Sequence, residues 1–247
     1  MNKVRIDLRD LSFLIPVRVD SDSRKLNLEI LLNVLSRDFN TAIIVLEADF
    51  EQRFFMPGNI KVEYHFVHDE DTIYHKTKYV NQLIRLAHTP YLAVWDTDAI
   101  GIPEQILTAL ETLRNNMAVM AYPFDGRFYS LDEVFTQLFY QTMRYDILLN
   151  HMPKLNLMHG FYSPGGAYLV NKEKYSLAGG ENENFYGWGP EDAERIKRME
   201  VLDLPVSYAK GPLFHLWHPS KSYFAKKETE IQNRKEFLKT CAYKLEI

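Results

Sequence analysis

The sequence predicts an α/β fold, a mostly parallel central sheet with flanking helices. Three observations predict it. Short apolar runs alternate with helical patterns from Leu11 to Tyr122, the signature of strands joined by helical crossovers. Polar residues (Arg18, Asp49, Asp96 and Asp98) stand directly at the ends of these runs, where such sheets bind ligands. The 247 residues are 46% hydrophobic, enough for a substantial core.

Leu11 to Val17 is an apolar run and reads as a buried strand. Asp20 to Ser23 is polar and suits a helix cap, after which Leu26, Ile30, Leu31, Val34 and Leu35 recur at helical spacing. Thr41 to Leu46 is a second strand, closing on Glu47-Ala48-Asp49, and Val62 to Val67 a third. Lys76 to Ala87 reads as a helix with Tyr79, Val80, Leu83, Ile84 and Ala87 on one face. Tyr91 to Trp95 is a strand followed at once by Asp96-Thr97-Asp98. Pro103 to Leu113 is a helix with proline at its start, and Met117 to Tyr122 a further strand. Leu131 to Asn150 has a helical, aromatic pattern. Phe161 to Gly166 is a loop, Ala167 to Val170 a short strand, and Pro190 to Met199 a helix. Val206 to Leu216 returns as a strand interrupted by Gly211-Pro212, and the chain is basic and helical from Lys221. No repeat or linker divides the chain, so one domain spans 1–247.

The net charge of −4 gives no basis for nucleic-acid binding. Cys241 is the one cysteine, so no internal disulfide forms, which suits a reducing compartment. Met1 to Asp10 lacks the basic start and apolar run of a signal peptide. No apolar stretch approaches the roughly 20 residues of a membrane span. A cytoplasmic location is expected, with peripheral contact at the inner membrane face if the acceptor is lipid-linked.

Three groups of residues carry chemistry. Phe185-Tyr186-Gly187-Trp188-Gly189-Pro190-Glu191-Asp192 combines helix breakers, an indole and two adjacent carboxylates. Such a mixture suits a sugar site better than a core element, because the ring offers an apolar face and carboxylates grip hydroxyls. Glu191 and Asp192 also suit a helix N-terminus on charge alone. Asp96-Thr97-Asp98 has the spacing to hold a divalent cation and a ribose hydroxyl, or to form a solvated turn. His215 and His218 follow a strand. On a continuing strand they would face opposite ways, one in the core and one at the surface; as neutral imidazoles they can join Asp98 in a nitrogen and oxygen site suited to Mn²⁺ if the chain turns between them. Both common phosphate loops, G-x-G-x-x-G and G-x-x-x-x-G-K-[ST], are absent.

Gly165-Gly166-Ala167, Lys172-Glu173-Lys174-Tyr175, Gly179-Gly180 and Gly187-Trp188-Gly189-Pro190-Glu191-Asp192 together resemble the C-terminal half of the beta-1,4-galactosyltransferases. They are similar also to the corresponding part of the polypeptide N-acetylgalactosaminyltransferases. Pro16-Val17-Arg18, Tyr74-His75-Lys76 through Asn81, and Asp96-Thr97-Asp98 resemble the N-terminal motifs of these families, in the same order. The resemblance implies a GT-A fold with an Asp-x-Asp metal motif. It implies a nucleotide-sugar-binding half (1–120), an acceptor and catalytic half (121–220) and a C-terminal lid or helix (221–247).

By position the resemblance makes Asp98, His215 and His218 ligands of Mn²⁺ (or Mg²⁺). Pro16, Arg18, Asp49, Tyr74, Lys76, Asp96 and Trp188 fall on the nucleotide-sugar side, with Tyr74 stacked on uracil. Trp188, Glu191 and Asp192 fall on the acceptor side, with Asp192 as catalytic base. Pro190 stands where the galactosyltransferases have glycine, and their stem, anchor and disulfides have no counterpart. A bacterial-type enzyme of surface polysaccharide or glycan synthesis is therefore expected. It would be an inverting, metal-dependent transferase moving galactose or an N-acetylhexosamine from a UDP-sugar to a carbohydrate hydroxyl. The alternatives are a metal-dependent sugar-nucleotide hydrolase and a catalytically inactive sugar-binding module.

Overall fold

The computed structural model describes residues 5–55, 58, 60–158, 160, 162–187, 189–219 and 227–243. Trp188 and the start of the expected lid, 221–226, lie outside the described residues.

The first half alternates as the sequence predicts: β1 (Ile6–Val17), α1 (Asp22–Asp38), β2 (Phe39–Asp49), β3 (Glu63–His68), α2 (Lys76–Leu86), β4 (Tyr91–Trp95). Ser21 caps α1, its hydroxyl accepting from the Arg24 N–H at 3.3 Å. A two-residue strand, β5 (Ala99–Ile100), precedes α3 (Pro103–Arg114) and β6 (Met120–Tyr122). The second half adds β7 (Phe128–Ser130), α4 (Glu133–Thr142), α5 (Tyr145–His151), β8 (Asn156–Leu157), β9 (Ala167–Asn171) and α6 (Lys172–Leu177). It continues with α7 (Glu191–Val201), β10 (Val206–Tyr208), β11 (Leu213–His215) and α8 (Lys227–Ala242).

Seven strands form the main sheet in the order β10-β6-β9-β4-β1-β2-β3. β3, β2, β1 and β4 run parallel, as do β10 and β6, whereas β9 is antiparallel to both its neighbours. Because β9 is reversed, the Gly165-Gly166 turn before it lies at the carboxyl edge of β4, where the Asp96 N–H donates to the Gly166 carbonyl at 2.9 Å. A second sheet runs β5-β11-β7-β8.

Two expectations are corrected. The helical pattern from Leu131 to Asn150 is two helices, because Met143 takes a left-handed φ of 50° that ends α4. The expected strand Val206 to Leu216 is two strands in different sheets, separated at Gly211, whose φ of 126° favours glycine. One apolar cluster, with Phe13, Trp95, Leu169 and Phe214 among its buried members, joins the two sheets.

Candidate active site

A cleft of about 690 Å³ opens at the carboxyl edge of the main sheet, within the usual size range of ligand sites. Its walls come from the ends of β1 and β4, the start of α2, the Gly165-Gly166 turn, the N-terminus of α7, the end of β11 and one face of α8.

Asp96-Thr97-Asp98 forms a tight turn at the end of β4. The Trp95 indole N–H donates to the Ala99 carbonyl at 2.7 Å, and the Ala99 N–H to the Asp96 carbonyl at 3.1 Å. The Leu216 N–H then donates to the Asp98 carbonyl at 2.7 Å, tying the end of β11 to this turn. Beyond His215 the chain leaves the sheet and is held by α4 and α1. The Trp217 N–H reaches Thr136 Oγ1 at 2.8 Å, and Asn27 donates to the Trp217 carbonyl at 3.1 Å. The chain thus makes the turn that a shared site for both histidines requires. His215 Nε2 lies 3.7 Å and His218 Nε2 3.2 Å from Asp98 Oδ2.

Ligand atoms of Asp98, His215 and His218 all fall within 4.8 Å of one another. Two imidazoles and one carboxylate fit a divalent cation of the Mn²⁺ type. Burial opposes the Asp98 charge, but His215, the hydrogen bond from His218 and the Arg24 guanidinium outweigh it and hold the carboxyl well below its ordinary range. Burial pushes His215 below its ordinary value, against the pull of Asp98. The hydrogen bond to Asp98 raises His218.

On the opposing side, Glu191 and Asp192 open α7. Lys76, at the start of α2, pairs with Asp96 at 2.6 Å. Burial works against its ammonium, yet Asp96, Asp192 and Glu191 outweigh burial and keep it firmly charged. Burial raises Asp96 despite this partner. Burial, then the adjacent Asp192 charge, pushes Glu191 up to about 8. Glu191 Oε2 accepts from the Gly189 N–H at 3.1 Å. Asp192 Oδ1 accepts from Arg195 Nη1 at 2.8 Å.

Pro16, Arg18 and Tyr74 line the cleft as well. Arg18 is fixed by the Ala48 carbonyl at 3.0 Å, the Asp71 carbonyl at 2.8 Å and Asp69 at 2.6 Å, and lies 5.3 Å from the centre of the Tyr74 ring. The buried Tyr74 hydroxyl has no hydrogen-bond partner among the described residues. Asp49 is not brought to the cleft. Its carboxylate is used locally, accepting from the Phe50 N–H at 2.8 Å and lying 3.9 Å from Arg53. The placement expected for Trp188 lies outside the described residues.

The structure adds residues that sequence reasoning passed over. Arg24 bridges Asp20 at 3.1 Å and Asp98 at 3.0 Å. Its spacing of four from Asp20, in the first turn of a helix beside the sheet edge, was the signal that could have found it. Glu230, Arg234 and Phe237, spaced four and three along one helix face, bring α8 onto the cleft; Arg234 belongs to the segment expected as a lid, and the spacing gives the face without saying what it packs against.

Residues 12–239 match the family model described as Glycosyltransferase like family 2. No curated protein matches the sequence. Among solved structures, the chain is similar to a mutant Drosophila beta-1,4-galactosyltransferase 7 in complex with manganese, UDP-Gal and xylobiose. The TM-score is 0.51 at 15% identity, over 82% of this chain and 65% of that one. It is also similar to a mannosyltransferase from Pyrobaculum calidifontis in complex with GDP-Man and Mn²⁺, with a TM-score of 0.52 at 12% identity, over 87% of this chain and 58% of that one. The chain therefore spans less than two thirds of either structure's length, and these likenesses speak to the fold.

Proposed function

The chain belongs to glycosyltransferase-like family 2 and has the GT-A fold; within that class of enzyme, we propose that it moves a hexose from a UDP-sugar to a carbohydrate hydroxyl with inversion at the anomeric carbon. The observation that carries this reading is one cleft lined both by the Asp98, His215 and His218 donor set and by the Asp192 carboxylate. Leaving-group stabilisation and base are thereby offered to one substrate pair.

Asp98, His215 and His218 would hold Mn²⁺ or Mg²⁺, and a cation there neutralises charge on a departing diphosphate. The fixed guanidinium of Arg18, the bridging one of Arg24 and the Lys76 ammonium add positive charge on the donor side. Pro16 and Tyr74 shape the wall beside them, and Asp96 holds Lys76 in place. Glu191, protonated at neutral pH, can both donate to and accept from an acceptor sugar. Asp192 takes the proton of the attacking hydroxyl. Trp188 belongs to the same reading as an apolar platform on its sequence position alone.

The same resemblance supports a galactose or N-acetylhexosamine donor and a role in surface polysaccharide or glycan synthesis, with an acceptor that is free or lipid-linked. No helix among the described residues is long and apolar enough to cross a membrane; peripheral contact with a lipid-linked acceptor is part of the same proposal. The shared apolar cluster supports treating 1–247 as one domain.

Asp192→Asn tests the reading. Turnover should fall by at least about 100-fold, within the range of general-base contributions. UDP-sugar affinity by calorimetry should stay within about twofold, since the donor side is untouched. Turnover near that of the unaltered enzyme would reject the assignment of the base.

A further inference from the structure

We propose that Arg195 and Glu181 form a buried positioning pair that commits one oxygen of Asp192 to the protein and presents the other to the acceptor hydroxyl. The proposal rests on the reading of Asp192 as base.

The side chains of Arg195 and Glu181 are 2% and 3% exposed. Arg195 donates from Nε to Glu181 Oε1 and from Nη2 to Oε2, both at 2.9 Å, a two-pronged pairing that fixes the guanidinium plane. Its carbon lies 4.0 Å from the centre of the Tyr168 ring. Glu181 is itself held by the Tyr168 hydroxyl at 2.6 Å and by the Tyr175 hydroxyl. Burial opposes its charge, but Arg195 and the two hydroxyls outweigh this and bring the carboxyl down to about 2.

Locked on that side, Arg195 has Nη1 directed at Asp192 Oδ1, 2.8 Å away. Oδ2 accepts no hydrogen bond from any described residue. It faces Gly165, where a Cβ would stand 2.7 Å from it. Both residues line the cleft, so the missing side chain leaves room in front of the one oxygen that Arg195 does not occupy.

A buried ion pair is weak evidence of a stabilising role, because apolar replacements are often neutral. Here the pair does something an apolar contact cannot. It gives the base one direction while Glu181 balances the charge that Arg195 brings beside it. In the step this serves, the acceptor O–H bond breaks and its proton passes to Asp192 Oδ2. The oxygen's electron pair forms the new bond to the anomeric carbon, and the bond to the diphosphate oxygen breaks with its pair on the leaving group. Misplacing a reacting group by about 1 Å can lose about 100-fold in rate.

The test is the double variant Arg195→Met with Glu181→Gln, which removes both charges of the buried pair together and frees Asp192 Oδ1. The expected result is a kcat lower by about 10- to 100-fold, an acceptor KM within about threefold and an unchanged calorimetric affinity for the UDP-sugar. A merely structural pair would not divide kcat from KM in this way. A folded double variant with kcat within about twofold of the parent overturns the proposal. Should the double variant fail to fold, Gly165→Ala reads the same geometry with the pair intact, and an unchanged kcat there overturns it equally. Asp192→Asn separates the two ideas. If it is inactive while the double variant is normal, only the positioning pair falls. If it is active, the assignment of the base falls first.

Discussion

At the scale of single residues, Glu191 shows how the cleft sets protonation. Burial and the adjacent Asp192 charge both disfavour its carboxylate, and Lys76 recovers only part of the loss. Its folded-state value of about 8 lies above the ordinary value of 4.5. Between those values the folded protein holds a proton that the unfolded chain releases, so this group's contribution to stability falls as pH rises through that window. Urea midpoints of the unaltered protein and of Glu191→Gln should therefore converge near pH 5 and diverge by pH 8, with the variant the more stable. Comparing the two proteins cancels the opposing shifts of His215 and His218. Parallel midpoints across the window would reject the shift.

The same scale shows what a linear sequence reveals of a site. Asp98, His215 and His218 were legible as candidate ligands because imidazoles and a carboxylate directly after strand ends are donors that a divalent cation takes. The turn after His215 then brings them together. Asp49 stood at an equally suggestive strand end, yet its carboxylate is spent on Phe50 and Arg53. Strand position alone does not distinguish a residue facing the cleft from one closing a local turn. Glu181 and Arg195 were invisible as a pair because their meeting depends on how the Gly179-Gly180 turn folds back onto α7. Gly180 takes φ of 63° there, and its carbonyl accepts from Arg198 at 2.5 Å.

Among elements, the long and periodic ones were the readable ones. α1, α2, α3 and α7 show helical periodicity, and all but α2 add a cap, a proline or an acidic first turn at the start. The two-residue strands β5 and β8 are too short to show a period, and α6 has only six residues behind its Asn171 cap. The break at Met143 had no signal, since methionine is not a residue that announces a left-handed turn. The reversal of β9 was equally unreadable, because an apolar run carries no direction.

α8 is the element whose role the sequence left most open. Its buried Asn233 accepts from the Tyr186 N–H at 3.1 Å and donates to the Tyr186 carbonyl at 2.9 Å. Glu236 accepts from Asn182 at 3.1 Å and from Asn184 at 3.0 Å. The helix thereby clasps the loop that leads to Glu191 and Asp192. Asn233→Ala would leave both backbone groups of Tyr186 unsatisfied, a loss of about 1–3 kcal/mol for each if they stay buried. Hydrogen exchange at residues 182–187 should accelerate at least about tenfold while the strands of the main sheet keep their protection. Unchanged exchange in that loop would show that α8 does not hold it.

At the scale of the whole molecule, the cleft matters because neither sheet builds it alone. The main sheet supplies Arg18, Asp96 and Asp98, the second sheet supplies His215, and α7 and α8 close the far side. A donor bound there would bridge elements that separate on unfolding, so its affinity should be readable in global stability. At a concentration of 100 times Kd such a ligand adds about 2.7 kcal/mol. For a chain of this length that amounts to a rise in Tm of roughly 5–11 °C. UDP-sugar should produce this rise with Mn²⁺ present and little of it in excess chelator, because in the proposed function the diphosphate and the Asp98, His215 and His218 set would share the cation. Asp98→Ala should lose the part that depends on Mn²⁺, although Arg24 keeps its pairing with Asp20. Asp192→Asn should keep the full rise, since the proposed function puts Asp192 on the acceptor side. GDP-sugar in place of UDP-sugar tests the proposed stacking of the base on Tyr74, and a larger rise with GDP would redirect the choice of donor. An equal rise for Asp98→Ala and the unaltered protein would show that the donor binds without this metal set.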